Sequence, residues 1–192
     1  MQNSARLQRT LPSEALRYFA SIVGQSRSPI DEAEVTLGMM NSYFSLKDYS
    51  QAITSATQLL AQEELIPGSA AKALLVKGKS QRSLGQNAEA EDSFGQLIQE
   101  YTTEEAAEAL YLLALQYQEK GDFKGSNELI FDYSTPFSEF DYWYGSMFLL
   151  LADNYLKLGE VFQAKATLQS VIDQSTDAMV KEKAAATLKS LD

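Results

Sequence analysis

Lys72, Lys79 and Arg82 are spaced so that, on a helix, they share one broad face. Three cations on one face could hold a carboxylate or an acidic segment through charge-assisted hydrogen bonds, Arg by its planar fork and Lys as a point charge. They could equally form a solvated basic face. A second concentration runs from Phe131 to Phe148 and contains Tyr133, Phe137, Phe140, Tyr142, Trp143 and Tyr144. Aromatic side chains bury large areas with few rotatable bonds, which suits them to anchor a partner. They would as readily pack a long connection between helices.

Bond-making chemistry has less to work with. The chain has no His and no Cys, which removes the commonest general base, the commonest transition-metal ligand and every thiolate. Acidic pairs such as Glu63 with Glu64, or Glu104 with Glu105, fall beside helix starts or turns, where solvation or the helix dipole accounts for them. No phosphate loop, zinc motif or nucleophile elbow occurs. The expectation is therefore no enzyme, with no catalytic residue, cofactor or metal site.

The elements that would carry these residues are helical. Of 192 residues, 45% are hydrophobic and 22% charged, an ordinary globular balance that should fold. Pro12, Pro29, Pro67 and Pro136 all fall between the periodic apolar segments, and no alternating run of β-branched residues calls for a strand. The net charge of −10 is uneven, with 7 basic and 15 acidic side chains in residues 103–192. Such a surface repels nucleic acid and anionic lipid, which leaves a protein or peptide as the expected partner and a homo-oligomer as an open alternative. No charge-free apolar run reaches the roughly 18 residues of a membrane span, so direct insertion is not expected. The start, MQNSARLQRTLPSEAL, lacks the apolar stretch of a signal peptide.

A repeat orders the chain. Gly85, Gly121 and Gly159 each follow an apolar helical pattern, in RSLG, QEKG and LKLG, and Lys47 takes the same place in FSLKDYSQA. A glycine just past a helix supplies the left-handed residue that turns the chain into a second helix, so Lys47 must make that turn without one. Before the turns stand Met40 and Tyr43, Gly78 and Gln81, Ala114 and Tyr117, Ala152 and Tyr155; after them stand Ala52, Ala90, Ser126 and Ala164, then Ala56, Phe94, Ile130 and Leu168, then Leu59, Leu97, Tyr133 and Val171. Every set recurs at spacings of 38, 36 and 38. Ala15, Phe19 and Ile22 match the second-helix positions alone, a half repeat.

This pattern resembles the tetratricopeptide repeat, an antiparallel helix pair in which small residues let two helices approach while large ones fill the space between hairpins. The resemblance implies an all-α, antiparallel helix-hairpin solenoid, a right-handed superhelix of about four repeats with an N-terminal half repeat and a C-terminal capping helix. The expected layout is a tail at 1–12 and one domain at 13–192: half repeat 13–25, repeats at about 31–63, 69–101, 104–134 and 139–175, and a cap at 178–190. Helices are expected at 13–25, 31–45, 48–63, 69–84, 87–101, 104–120, 123–133, 139–158, 160–174 and 178–190. Met40, where a small residue is usual, and Gln81, where an aromatic is usual, predict less regular packing in the first two repeats. The half repeat implies continuation upstream, and the amphipathic last helix places Asp192 near a natural terminus.

The stretch LLADNYLKLGEVFQAKATLQSVI, Leu150 to Ile172, is similar to the C-terminal repeats of long Bacteroidetes-type tetratricopeptide proteins, many of them envelope-associated or periplasmic. That likeness implies a scaffold exported within a larger chain. The family architecture implies that first helices line a concave groove holding a peptide or protein. The groove positions are Glu34, Leu37, Asn41 and Phe44; Lys72, Leu75, Lys79 and Arg82; Glu108, Tyr111, Leu115 and Gln118; Ser146, Leu149, Asp153 and Leu156. The partner-binding candidates among and beside them are Asn41, Phe44, Lys72, Lys79, Arg82, Tyr111, Gln118, Trp143 and Tyr144. Asn41 and Lys79 also suit the carboxylate clamp of chaperone-binding members, whose other positions are not matched. The alternative function is a structural spacer or self-association module of a larger envelope protein.

Overall fold

The structure, a computed structural model, describes residues 11–25, 28–62 and 64–191. Among them are ten α-helices and no strand: α1 (Pro12–Ile22), α2 (Pro29–Ser45), α3 (Tyr49–Leu60), α4 (Ser69–Ser83), α5 (Asn87–Glu100), α6 (Glu104–Glu119), α7 (Phe123–Tyr133), α8 (Asp141–Lys157), α9 (Val161–Gln174) and α10 (Ala178–Lys189). A 3-10 turn, Thr135–Phe137, precedes α8. The chain divides into two compact units, one reaching Leu97 and the other starting at Ile98. None of the described helices is long and apolar enough to cross a membrane.

All ten expected helices are present, most within two residues of their expected ends. The first ends early, at Ile22, because Gly24 turns the chain at φ 76°. The eighth starts at Asp141 instead of 139 because Pro136 and its neighbours form the 3-10 turn. Most of the expected tail, residues 1–10, lies outside the described residues, as do Glu63 and Asp192.

The hairpin turns share one geometry. Lys47, Gly85, Gly121 and Gly159 have φ of 61°, 75°, 82° and 79°. The next N–H reaches back to a last-turn carbonyl each time: Asp48 to Tyr43 at 2.9 Å, Gln86 to Gln81 at 2.9 Å, Asp122 to Tyr117 at 3.0 Å and Glu160 to Tyr155 at 2.8 Å. These bonds satisfy carbonyls that the helix end would orphan, and they fix the exit direction of the chain. Asp48 and Asp122 then cap the following helices, their carboxylates accepting from the N–H groups of Gln51 and Gly125.

Inside the hairpins, volume is exchanged between facing positions. Met40 on α2 is fully buried in one cluster with Ala56 and Leu59 of α3, so the large residue on the first helix meets a small one on the second. In the next hairpin the sizes reverse: a Cβ added at Gly78 would lie 2.5 Å from the Phe94 ring. In the second unit Ala152 on α8 packs in one cluster with Leu168 and Val171 of α9. Met40, where a small residue is usual, is thus fully buried in a cluster that includes the small Ala56. Gln81 is likewise buried, its carboxamide hydrogen-bonded to Ser93 Oγ at 2.7 Å, which offsets the cost of a polar group in the interior.

Candidate partner-binding surfaces

All nine candidate residues sit on the first helices of their hairpins: Asn41 and Phe44 on α2; Lys72, Lys79 and Arg82 on α4; Tyr111 and Gln118 on α6; Trp143 and Tyr144 on α8. The first five belong to the first compact unit and the last four to the second.

In the first unit the structure joins Phe44 to Lys79. The Lys79 ammonium stands over the Phe44 ring, 5.6 Å from its centroid. Phe44 also meets Tyr49 edge-on at 5.9 Å. Lys72 is exposed, while Lys79, Arg82, Asn41 and Phe44 are half-buried. The helix that carries the cations, Ser69–Ser83, has Lys72, Lys77, Lys79 and Arg82 and no acidic residue. Lys72, Lys79 and Arg82 share a face, and Lys77 falls on another.

In the second unit the aromatics divide. Trp143 is half-buried between Tyr111 at 5.7 Å and Tyr142 at 4.9 Å, so α6 and α8 share one ring cluster. Tyr144 points elsewhere and pairs with Phe148 at 4.8 Å. Of the aromatic run, Phe137 is 1% exposed and fills the connection, whereas Phe131 is 55% exposed. The connection is therefore packed by one ring, and the others are available at the surface to different degrees.

Gln118 has a different setting. Its Nε2 donates to Asp153 Oδ2 at 2.8 Å and to Asn154 Oδ1 at 2.9 Å. Asn154, fully buried, passes the network on from Nδ2 to Ser126 Oγ and Asn127 Oδ1, both at 2.8 Å. One carboxamide thus ties α6 and α7 to α8, and a buried network of this kind is stabilising when every member is satisfied. Nearby, burial and then the charge of Glu160 push the Tyr155 phenol above its ordinary value, which keeps it neutral.

Asp141, which the sequence did not single out, is a carboxylate that accepts four hydrogen bonds. Its Oδ2 accepts from Thr176 N, Thr176 Oγ1 and Asp177 N, each at 2.6 Å, and from Ser175 Oγ at 3.3 Å. Burial raises its pKa, but the hydrogen bonds from Thr176, Asp177 and Ser175 together outweigh it and hold the carboxyl below its ordinary value. Nothing in local spacing foretells these partners, which come from the turn after α9. No cluster of acidic residues suited to a metal occurs among the described residues.

Residues 72–103 and 147–178 match the family model for the tetratricopeptide repeat. No curated protein matches the sequence significantly. Among solved structures, the chain is similar to MamA RS-1 (ArsTM double mutant), with 20% identity, TM-score 0.67, and 92% of this chain and 94% of that one covered. It is also similar to BtubC (BKLC) from P. vanneervenii, with 12% identity, TM-score 0.70 and coverages of 98% and 82%. A third is a Podosopora anserina chain with nearly identical TPR-like repeats of kinesin-light-chain type, with 16% identity, TM-score 0.66 and coverages of 97% and 93%. At these identities the likeness is one of fold. Repeat folds of this class present extended surfaces for protein–protein interaction. With ten helices among the described residues and four hairpin turns of one geometry, the chain is an all-α helical-repeat protein, two stretches of which match the sequence model of the tetratricopeptide repeat.

Proposed function

We propose that the chain is a protein-interaction scaffold whose first unit holds an acidic peptide segment on the first-helix face of its hairpins. The observation that carries this reading is α4, a helix without one acidic residue that sets Lys72, Lys79 and Arg82 on one face in a chain of net charge −10. A helix so biased stands out from its surroundings, and complementary charge gives a partner both orientation and a faster approach. Phe44 and Lys79 form the anchor: the ring offers apolar area, and the ammonium beside it offers a charge to a carboxylate. Lys72 and Arg82 extend the same face, and Asn41 contributes a carboxamide on α2.

The test uses a fluorescein-labelled hexaglutamate peptide and anisotropy at low ionic strength. The chain should bind it, and charge reversal by Lys79→Glu with Arg82→Glu should weaken binding by about tenfold or more. Salt should weaken the unmodified complex as well, since exposed charges are screened over about a Debye length of 10 Å at 0.1 M. Affinity unchanged by the double reversal sinks the reading.

A further inference from the structure

The second unit contains a pocket of about 270 Å³ between α8 and α9. Asp141, Tyr144 and Phe148 line one side, and Ser170, Val171 and Gln174 the other. Its size falls just under the range of roughly 300–1,000 Å³ typical of small-molecule sites, so it suits one large side chain better than a cofactor. Its chemistry is specific. Tyr144 and Phe148 line it as a tilted pair of rings with centroids 4.8 Å apart, and aromatic rings attract a cation. Asp141 adds a carboxylate of which one oxygen, Oδ2, takes all four donors of the following turn. Gln174 donates through Nε2 to Ser170 Oγ at 3.0 Å, which leaves its amide oxygen as an acceptor. Among the described residues, none that lines the pocket is basic.

The surroundings select the same charge. Residues 98–192 hold 16 acidic and 7 basic side chains, nearly the whole charge excess of the chain. A cationic group is drawn toward such a surface, and the pocket gives it a place to dock. Between the two basic side chains, the planar guanidinium stacks on rings while its fork donates to a carboxylate and an amide oxygen, which an ammonium cannot do in one pose.

We propose that this pocket seats an arginine side chain from a basic segment of a protein partner. The proposal deepens the scaffold reading by adding a second recognition chemistry, opposite in sign to that of α4, and it rests on that reading.

The experiment titrates the full chain with a fluorescein-labelled hexa-arginine peptide, with hexalysine alongside, and follows backbone amide shifts by NMR. The expected result is tighter binding of hexa-arginine, with the largest shifts at Ser138, Gly145 and Gln174. Tyr144→Leu and Asp141→Asn should each weaken binding by about tenfold. Asp132→Asn, the same charge change at an exposed site outside the pocket, should not. Should Asp141→Asn loosen the turn that it holds, Tyr144→Leu still reads the pocket, because it leaves those hydrogen bonds in place. Equal losses for Asp132→Asn and Asp141→Asn, binding undiminished by Tyr144→Leu, or equal affinity for hexalysine would overturn the proposal. The hexaglutamate measurement at Lys79 and Arg82 uses none of these variants, so a failure of the pocket is told apart from a failure of the basic face on α4.

Discussion

The Lys79 ammonium lies 5.6 Å from the centre of the Phe44 ring, joining the C-terminal part of α2 to α4. The contact has a counterpart in the second unit. Counting forward by the repeat spacings carries Phe44 through Arg82 to Gln118, and Lys79 through Leu115 to Asp153. Gln118 and Asp153 are hydrogen-bonded at 2.8 Å. The same pair of repeat positions thus stitches successive first helices together, once by a cation over a ring and once by an amide on a carboxylate. Two candidate residues, Phe44 and Gln118, therefore hold the scaffold together as well as facing outward.

Because the Lys79–Phe44 contact is half-exposed, Lys79→Ala should cost only about 0.5–1 kcal/mol of stability. Phe44→Ala should cost more, since the ring also packs against Tyr49. Urea denaturation read by circular dichroism compares the two, and a larger loss for Lys79→Ala would contradict this ranking.

Gly78→Ala should destabilise the second hairpin. A new methyl meets the Phe94 ring, and overpacking of this kind costs about 1–3 kcal/mol, more than the roughly 1 kcal/mol of helix propensity that alanine gains over glycine. Adding Phe94→Ile reproduces the combination that the third hairpin carries as Ala114 and Ile130. The double variant should recover at least about 1 kcal/mol relative to the sum of the singles, measured as a double-mutant cycle. Simple additivity would show that the two sites do not exchange volume.

Lys47 makes its hairpin turn at a φ of 61° with a side chain attached. A left-handed conformation costs a non-glycine residue about 1 kcal/mol, so Lys47→Gly should raise stability by about that amount. Gly121→Ala should lower it by a similar amount at φ 82°. Thermal melts of the two variants should move in opposite directions.

Asn154→Ala removes the centre of a buried network and strands Ser126 and Asn127, while Gln118 keeps Asp153 as its acceptor. Leaving buried polar groups unsatisfied costs about 1–3 kcal/mol each, so a total loss of about 2–4 kcal/mol is expected after relaxation. Faster amide exchange should appear in α7 and α8 first. Uniform acceleration over α2 to α4 as well would place the effect elsewhere.

Asp141 sets a pH dependence of known sign. Its folded pKa lies below the ordinary 3.8, because hydrogen bonds from Thr176, Asp177 and Ser175 outweigh the opposing effect of burial. The stability that it contributes is complete above pH 3.8 and is lost as pH falls through the lowered folded value. Asp141→Asn should flatten that part of the acid-unfolding profile while leaving the neutral-pH slope unchanged. A profile identical to that of the parent chain would show that the carboxylate is not held as described.

Much of this architecture is legible in the sequence, because its causes are local. Helix periodicity sums over neighbouring residues, and a left-handed turn position needs glycine or tolerates Lys47, so the ten helices and the four turn residues follow from spacing alone. The placement of all nine candidate residues on first helices follows from the same register. What spacing could not supply are contacts between residues far apart in the chain. Met40 looks like a misfit until it is seen buried in one cluster with Ala56, and Gln118 looks like an open groove residue until Asp153 and Asn154 accept its amide. Asp141 carries no local signal, since its partners lie 34 to 36 residues further on. A periodic pattern fixes which face of a helix turns inward. Only packing decides which atoms that face meets, because volume and hydrogen-bond partners are matched across the gap between helices and not along either one.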